Sequence, residues 1–123
     1  MKTILIAEDN AANKELLIEV LSEWGYVVLD ASTGLEALSF LEFRTPDLAL
    51  LDIQMPELDG YGVVRRMRED PRFSKIPVIA LTAFAMRGDR EKALQHGFDG
   101  YVSKPLDLTL LEKETSRSTS ALT

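Results

Sequence analysis

Leu48-Ala-Leu-Leu-Asp52 is a run of four apolar residues closed by a carboxylate. So short a run, with no polar alternation, suits a strand covered on both faces. The same pattern recurs on either side. Thr3-Ile-Leu-Ile-Ala7 closes on Glu8 and Asp9, Val78-Ile-Ala-Leu81 closes on Thr82, and Tyr101-Val-Ser103 leads into Lys104. The intervening segments read as helices. Residues 11–24 place Leu16, Leu17, Val20, Leu21 and Trp24 at helical spacing, with Asn10 as N-cap and Gly25 as stop. A short strand spans 26–29. A helix over 35–43 has Leu35, Leu38, Leu41 and Phe43 as its apolar side, and Pro46 breaks the chain before the central strand, 47–51. A third helix, 60–69, ends at Asp70-Pro71. Strand 77–81 is followed by a polar helix over 87–96 that stops at Gly97, and then by strand 100–103. Asp107 can cap a last helix with Leu108, Leu110 and Leu111 on its apolar face. Five strands separated by helices predict parallel βαβ units in one α/β domain.

With 123 residues the chain fits a single domain, and 46% hydrophobic content supplies a core. There is no cysteine, which excludes disulfides and thiolate metal sites and fits a cytoplasmic protein. Met1-Lys2 runs straight into the first strand without a leader-like segment, and no apolar run could span a bilayer. A net charge of -6 argues against nucleic acid as a partner. The polar run Thr115-Ser-Arg-Ser-Thr-Ser120 is rich in poor helix formers. The expected division is a domain over 1–114, with 115–123 a polar tail or the end of the last helix.

In an open parallel sheet the carboxyl ends of the strands share one edge, where ligands bind. Glu8, Asp9, Asp52, Thr82 and Lys104 would gather there. Clustered carboxylates repel unless protons or a cation relieve them, and Mg²⁺ is suited to oxygen ligands. A hydroxyl and an ammonium can receive phosphoryl oxygens, and a carboxylate can be a covalent nucleophile. Each residue alone reads equally as a solvated strand end or a helix cap. Their joint placement at successive strand ends points to phosphoryl transfer onto Asp52.

Four motifs carry a family resemblance: Ile6-Ala-Glu-Asp-Asn10, Leu51-Asp-Ile-Gln-Met-Pro-Glu-Leu-Asp-Gly60, Ala80-Leu-Thr-Ala83 and Tyr101-Val-Ser-Lys-Pro105. Over about residues 3–113 the chain resembles the receiver domain of two-component response regulators. The resemblance implies a flavodoxin-like (βα)5 sandwich with strand order 2-1-3-4-5. It implies that Asp52 accepts phosphate from a phosphohistidine on a sensor histidine kinase or histidine phosphotransfer protein. It further implies Mg²⁺ held by Asp9, Asp52 and the Gln54 carbonyl, with Glu8 meeting the metal directly or through water. Thr82 and Lys104 would bind phosphoryl oxygens, Tyr101 would be an aromatic switch coupled to Thr82, and the Lys104-Pro105 bond would be cis. Gln54 and Phe84 would lie beside the water that hydrolyses the acyl phosphate, although Phe84 reads equally as packing against the fourth helix. Glu8 departs from the Asp that many members carry. The Glu-Asp-Asn run is similar to stand-alone phosphorelay regulators and to receivers attached to hybrid kinases. No effector sequence follows, so output by contact with a downstream protein is expected.

A haloacid-dehalogenase-type phosphatase would need a second Asp two residues after the nucleophile, where this chain has Gln54. A phosphorylation-independent interaction module would tend to lose the acceptor or the lysine, and both are present. Nucleotide-binding glycine motifs are lacking. His96 reads as a helix-end or surface residue, Trp24 and the four methionines as core or partial core, and Arg65, Arg66 and Arg68 as a solvated helix face.

Overall fold

The computed structural model describes residues 2–83 and 88–120. In chain order the elements are β1 Thr3–Ala7, α1 Ala11–Glu23, β2 Val27–Ala31, α2 Gly34–Leu41, β3 Leu48–Asp52, α3 Gly60–Glu69, β4 Val78–Thr82, α4 Asp89–Gln95, β5 Gly100–Ser103 and α5 Leu108–Ser120. All pairings are parallel, in the order β2-β1-β3-β4-β5. This is the flavodoxin-like arrangement.

The continuous apolar runs arise because both sheet faces are buried. Alternate residues divide between two cores. Leu5, Ala7, Ala49, Leu51, Val78 and Ala80 face α2, α3 and α4 through Ala37, Leu41, Val63, Val64, Met67 and Ala93. Ile4, Ile6, Leu48, Leu50, Ile79 and Leu81 face Leu17, Val20 and Leu21 of α1 and Leu111 of α5. Each large side chain fully removed from water contributes about 1.5–3 kcal/mol. The central strands β1, β3 and β4 are buried at every position, so their ends are rigidly placed.

Helix starts follow their caps. Asn10, Thr33, Asp59 and Asp107 accept from the amides of Asn13, Glu36, Gly62 and Leu110 at 2.9, 3.1, 2.9 and 3.1 Å. Gly25 and Gly97 take φ of 94° and 107° just beyond α1 and α4, the left-handed geometry that ends helices.

Several boundaries differ from the sequence reading. β3 gains Asp52, while Asp47 leaves the strand because its Oδ2 accepts from the Thr3 amide at 2.7 Å. The second helix stops at Leu41, which leaves Phe43 86% exposed rather than on an apolar inner face. α4 spans Asp89–Gln95; Phe84 and Arg87 lie outside the described residues. α5 continues through the Ser/Thr-rich run, so residue 114 falls inside it. Thr115, Ser118 and Thr119 are buried there. The Thr119 hydroxyl donates to the Thr115 carbonyl at 2.8 Å, and Lys2 Nζ donates to the Thr119 carbonyl at 2.9 Å.

Candidate functional site

β1, β3 and β4 end side by side, and the site is built on those ends. Asp52 pairs with Leu81, and Thr82 with Ser103, so Asp52, Thr82 and the chain leading to Lys104 arrive on one edge. The Lys104 amide donates to the Thr82 carbonyl at 2.6 Å, and the Ile53 amide donates to the Leu81 carbonyl at 2.9 Å. The Lys104-Pro105 peptide is cis.

Within this frame Lys104 Nζ lies 2.7 Å from Asp52 Oδ2 and 2.6 Å from Glu8 Oε2. The Gln54 amide donates to Asp52 Oδ1 at 2.9 Å, so both oxygens of that carboxylate are oriented. Glu8 is fully buried and Asp52 is 4% exposed. Glu8 Oε1 accepts from the Asn10 amide at 3.1 Å. Oε2 touches Lys104 as an ion pair without hydrogen-bond alignment, and it remains a buried acceptor with no hydrogen-bond partner. Asp9 is exposed at the rim, and oxygens of Glu8, Asp9 and Asp52 all lie within 4.8 Å of one another.

Burial pushes Glu8 above the usual carboxylate range; Asp52 adds to the rise, while the Lys104 ammonium pulls the other way. Burial alone would lower Lys104, but its hydrogen bond to Asp52 and its ion pairing with Asp52 and Glu8 outweigh it and hold the ammonium above its ordinary value. Three carboxylates against one ammonium leave an excess of negative charge. Hard oxygen donors within 4.8 Å of one another and that excess fit a hard divalent cation.

A cleft of about 830 Å³ opens from Asp9, Gln54 and Thr82 toward Met55, Tyr61, Asp89 and Lys92. Tyr61 meets His96 at a 58° tilt with ring centroids 4.6 Å apart and lies edge-on at 5.8 Å to Phe98, and Lys92 Nζ sits 5.2 Å from its ring centroid. Sequence reasoning did not single out Tyr61, because one aromatic after Gly60 has no periodic partner to mark it. Tyr101 is half-buried, and its phenol oxygen has no hydrogen-bond partner among the described residues. Burial, with Asp89 and Tyr61 nearby, raises its pKa. Gln54 is exposed beside Asp52, and Phe84 lies outside the described residues.

Residues 4–116 match the family described as response regulator receiver domain. The polar-differentiation response regulator DivK of Brucella ovis is 42% identical over 107 residues, 87% of each chain. The signal receiver domain of a signal transduction histidine kinase from Syntrophus aciditrophicus is 36% identical, with a TM-score of 0.90 over 98% of this chain and 92% of its own. The receiver domain of a sensor histidine kinase from Pseudomonas aeruginosa PAO1 is 35% identical, with a TM-score of 0.89 over 97% and 98% of the two chains; its structure has magnesium coordinated in the active site cleft. With a family match over nearly its whole length, supported by curated and structural relatives, this chain belongs to the response regulator receiver domain family.

Proposed function

We propose that Asp52 accepts a phosphoryl group from a phosphohistidine on a sensor histidine kinase or histidine phosphotransfer protein, and that the phosphorylated domain signals through contact with a downstream protein. The observation that carries this reading is Asp52 itself, oriented at one oxygen by the Gln54 amide and at the other by Lys104 inside an acidic cluster. A carboxylate oxygen attacks phosphorus as the N–P bond breaks. The bonding pair returns to the imidazole nitrogen, and an acyl phosphate forms. Lys104 moves its ionic contact toward the arriving phosphoryl oxygens, and the Thr82 hydroxyl donates to one of them. Glu8, Asp9, Asp52 and the Gln54 carbonyl would hold Mg²⁺, whose charge would offset that on the phosphoryl oxygens; a magnesium-bearing relative supports this assignment.

In this reading Thr82 and Tyr101 form the switch. The buried, unpartnered phenol oxygen supports it, since a change of rotamer sacrifices no hydrogen bond among the described residues. Gln54 and Phe84 set the phosphoryl lifetime, and the exchange takes place in the cytoplasm. Among the described residues no helix is long and apolar enough to cross a membrane.

The test is acetyl phosphate or a phosphorylated kinase with Mg²⁺. One phosphoryl group should appear on Asp52, and Asp52→Asn should remove it. Undiminished labelling of Asp52→Asn, in acid-stable form, would overturn the assignment.

A further inference from the structure

We propose that Gly34, the first residue of α2, is a positioning residue for the acceptor. Its missing side chain lets α2 seat against the loop over residues 53–59 and keeps the Gln54 amide on Asp52. The inference deepens the phosphoacceptor reading and rests on it.

Gly34 is buried. A Cβ placed there would lie 2.0 Å from the Leu58 carbonyl oxygen and 2.8 Å from both its carbonyl carbon and its Cβ. Two of those atoms are backbone and cannot rotate away. α2 cannot recoil easily, because Ala37 and Leu41 are buried in the core beneath it. The loop would have to move instead.

The far side of the loop is equally tight. A Cβ at Gly60 would lie 2.5 Å from the Asp52 carbonyl oxygen, and the Gly60 amide donates to the Ile53 carbonyl at 3.1 Å. Within the loop, Glu57 holds φ at 70°, a left-handed conformation that costs a non-glycine residue about 1 kcal/mol and persists only under outside support. A push at Leu58 therefore travels back through residues 53–57. That segment carries the Gln54 amide, 2.9 Å from Asp52 Oδ1. Gly62 provides the contrast: its nearest neighbour is Leu58 Cδ1 at 2.4 Å, the end of a side chain that can turn aside.

The test measures amide hydrogen exchange at Gln54 without donor or metal, and the rate of Asp52 labelling by acetyl phosphate. Gly34→Ala should lower Gln54 protection and slow labelling, each by roughly ten-fold or more. Gly25→Ala is the control for simple destabilisation, because Gly25 has φ of 94° and nothing within 4 Å of a built Cβ. It should lower the melting temperature yet keep wild-type Gln54 protection and labelling, and Gly62→Ala should stay near wild type. A folded Gly34→Ala with wild-type protection and labelling overturns the inference. Should Gly34→Ala not fold, Leu58→Ala decides. It removes the side chain clamped between α2 and α3, and should lower Gln54 protection relative to the strand amides; unchanged protection overturns the inference. A wild type that takes no label defeats the acceptor reading, and the exchange measurement then decides the geometry alone.

Discussion

Arg68 ties together segments that the sequence keeps apart. Its guanidinium donates to the carbonyls of Gly97 at 3.0 and 2.8 Å, Ser74 at 2.9 Å and Ile76 at 2.8 Å, and pairs with Asp99 at 2.8 Å. Asp99 Oδ2 also accepts from the Val78 amide at 2.8 Å, which sets the start of β4. Read as a string, Arg65-Arg66-Met67-Arg68 is a solvated face; Arg65 and Arg66 are exposed, whereas Arg68 serves carbonyls that have no partner within a helix or strand. Arg68→Ala should lower unfolding free energy by about 2–3 kcal/mol, because several carbonyls lose their donor together. Arg66→Ala should change it by less than about 0.5 kcal/mol. Urea unfolding of the two variants checks this, and equal small effects would refute the role given to Arg68. Glu8 is buried at the cost of a perturbed carboxyl. Its folded pKa lies above its unfolded value near 4.5. The folded state therefore holds the proton more tightly. Glu8's contribution to stability is fully present below the unfolded pKa and is lost as pH rises through the folded one. Glu8→Gln should remove that decline. In chelator, the difference in stability between variant and wild type should grow in the variant's favour from pH 4.5 to neutrality. Parallel pH profiles would show that Glu8 is not held in its buried, raised state.

Among the elements, the alternation of strands and helices was legible because both faces of β1, β3 and β4 are buried, so the apolar runs are uninterrupted and their polar ends stand out. Glu8, Asp52, Thr82 and Lys104 were visible for the same reason. What stayed hidden depends on contacts distant in sequence: Gly34 against Leu58, Arg68 against Gly97, and Asp47 against Thr3. α5 is the clearest case. Propensity alone weakens residues 115–120, yet tertiary packing keeps them helical, with Thr115 fully buried and Thr119 facing Lys2 and Tyr26. Truncation after Glu114 should therefore lower stability by about 1–2 kcal/mol, even though the removed residues are mostly polar. An unchanged urea midpoint would place the domain boundary before the last turns of α5. α4 and β5 belong to the proposed switch. Phosphorylation should shift the amides of Tyr101 and α4 as well as those at the strand ends. Shifts that spare Tyr101 and residues 89–95 would separate the acceptor from any switch on this face.

For the whole molecule, the acidic cluster is a concentrated part of a net charge of -6. Lys104 is the only cation paired with it among the described residues, bridging Glu8 and Asp52. The same carboxylates would bind Mg²⁺, so ammonium and metal draw on one store of negative charge. A ligand that binds only the folded state stabilises it by RT ln(1 + [L]/Kd), about 2.7 kcal/mol at one hundred times Kd. For a domain of this size, each kcal/mol raises the melting temperature by roughly 3–6 °C. Saturating Mg²⁺ should therefore raise the wild-type melting temperature by several degrees, and Asp9→Ala should lose most of that rise. Lys104→Ala should behave in the opposite sense. Without the ammonium, Glu8 and Asp52 remain buried and lose their shared counter-charge. The metal-free variant should melt below wild type, yet gain more from Mg²⁺, with a lower half-saturating concentration. Labelling of Asp52 should fall in the same variant, because the phosphoryl oxygens lose their cation. Thermal melts across a Mg²⁺ titration, paired with acetyl phosphate labelling, separate the two roles. A Lys104→Ala protein whose melting responds to Mg²⁺ no more than wild type would show that lysine and metal do not compete for these carboxylates.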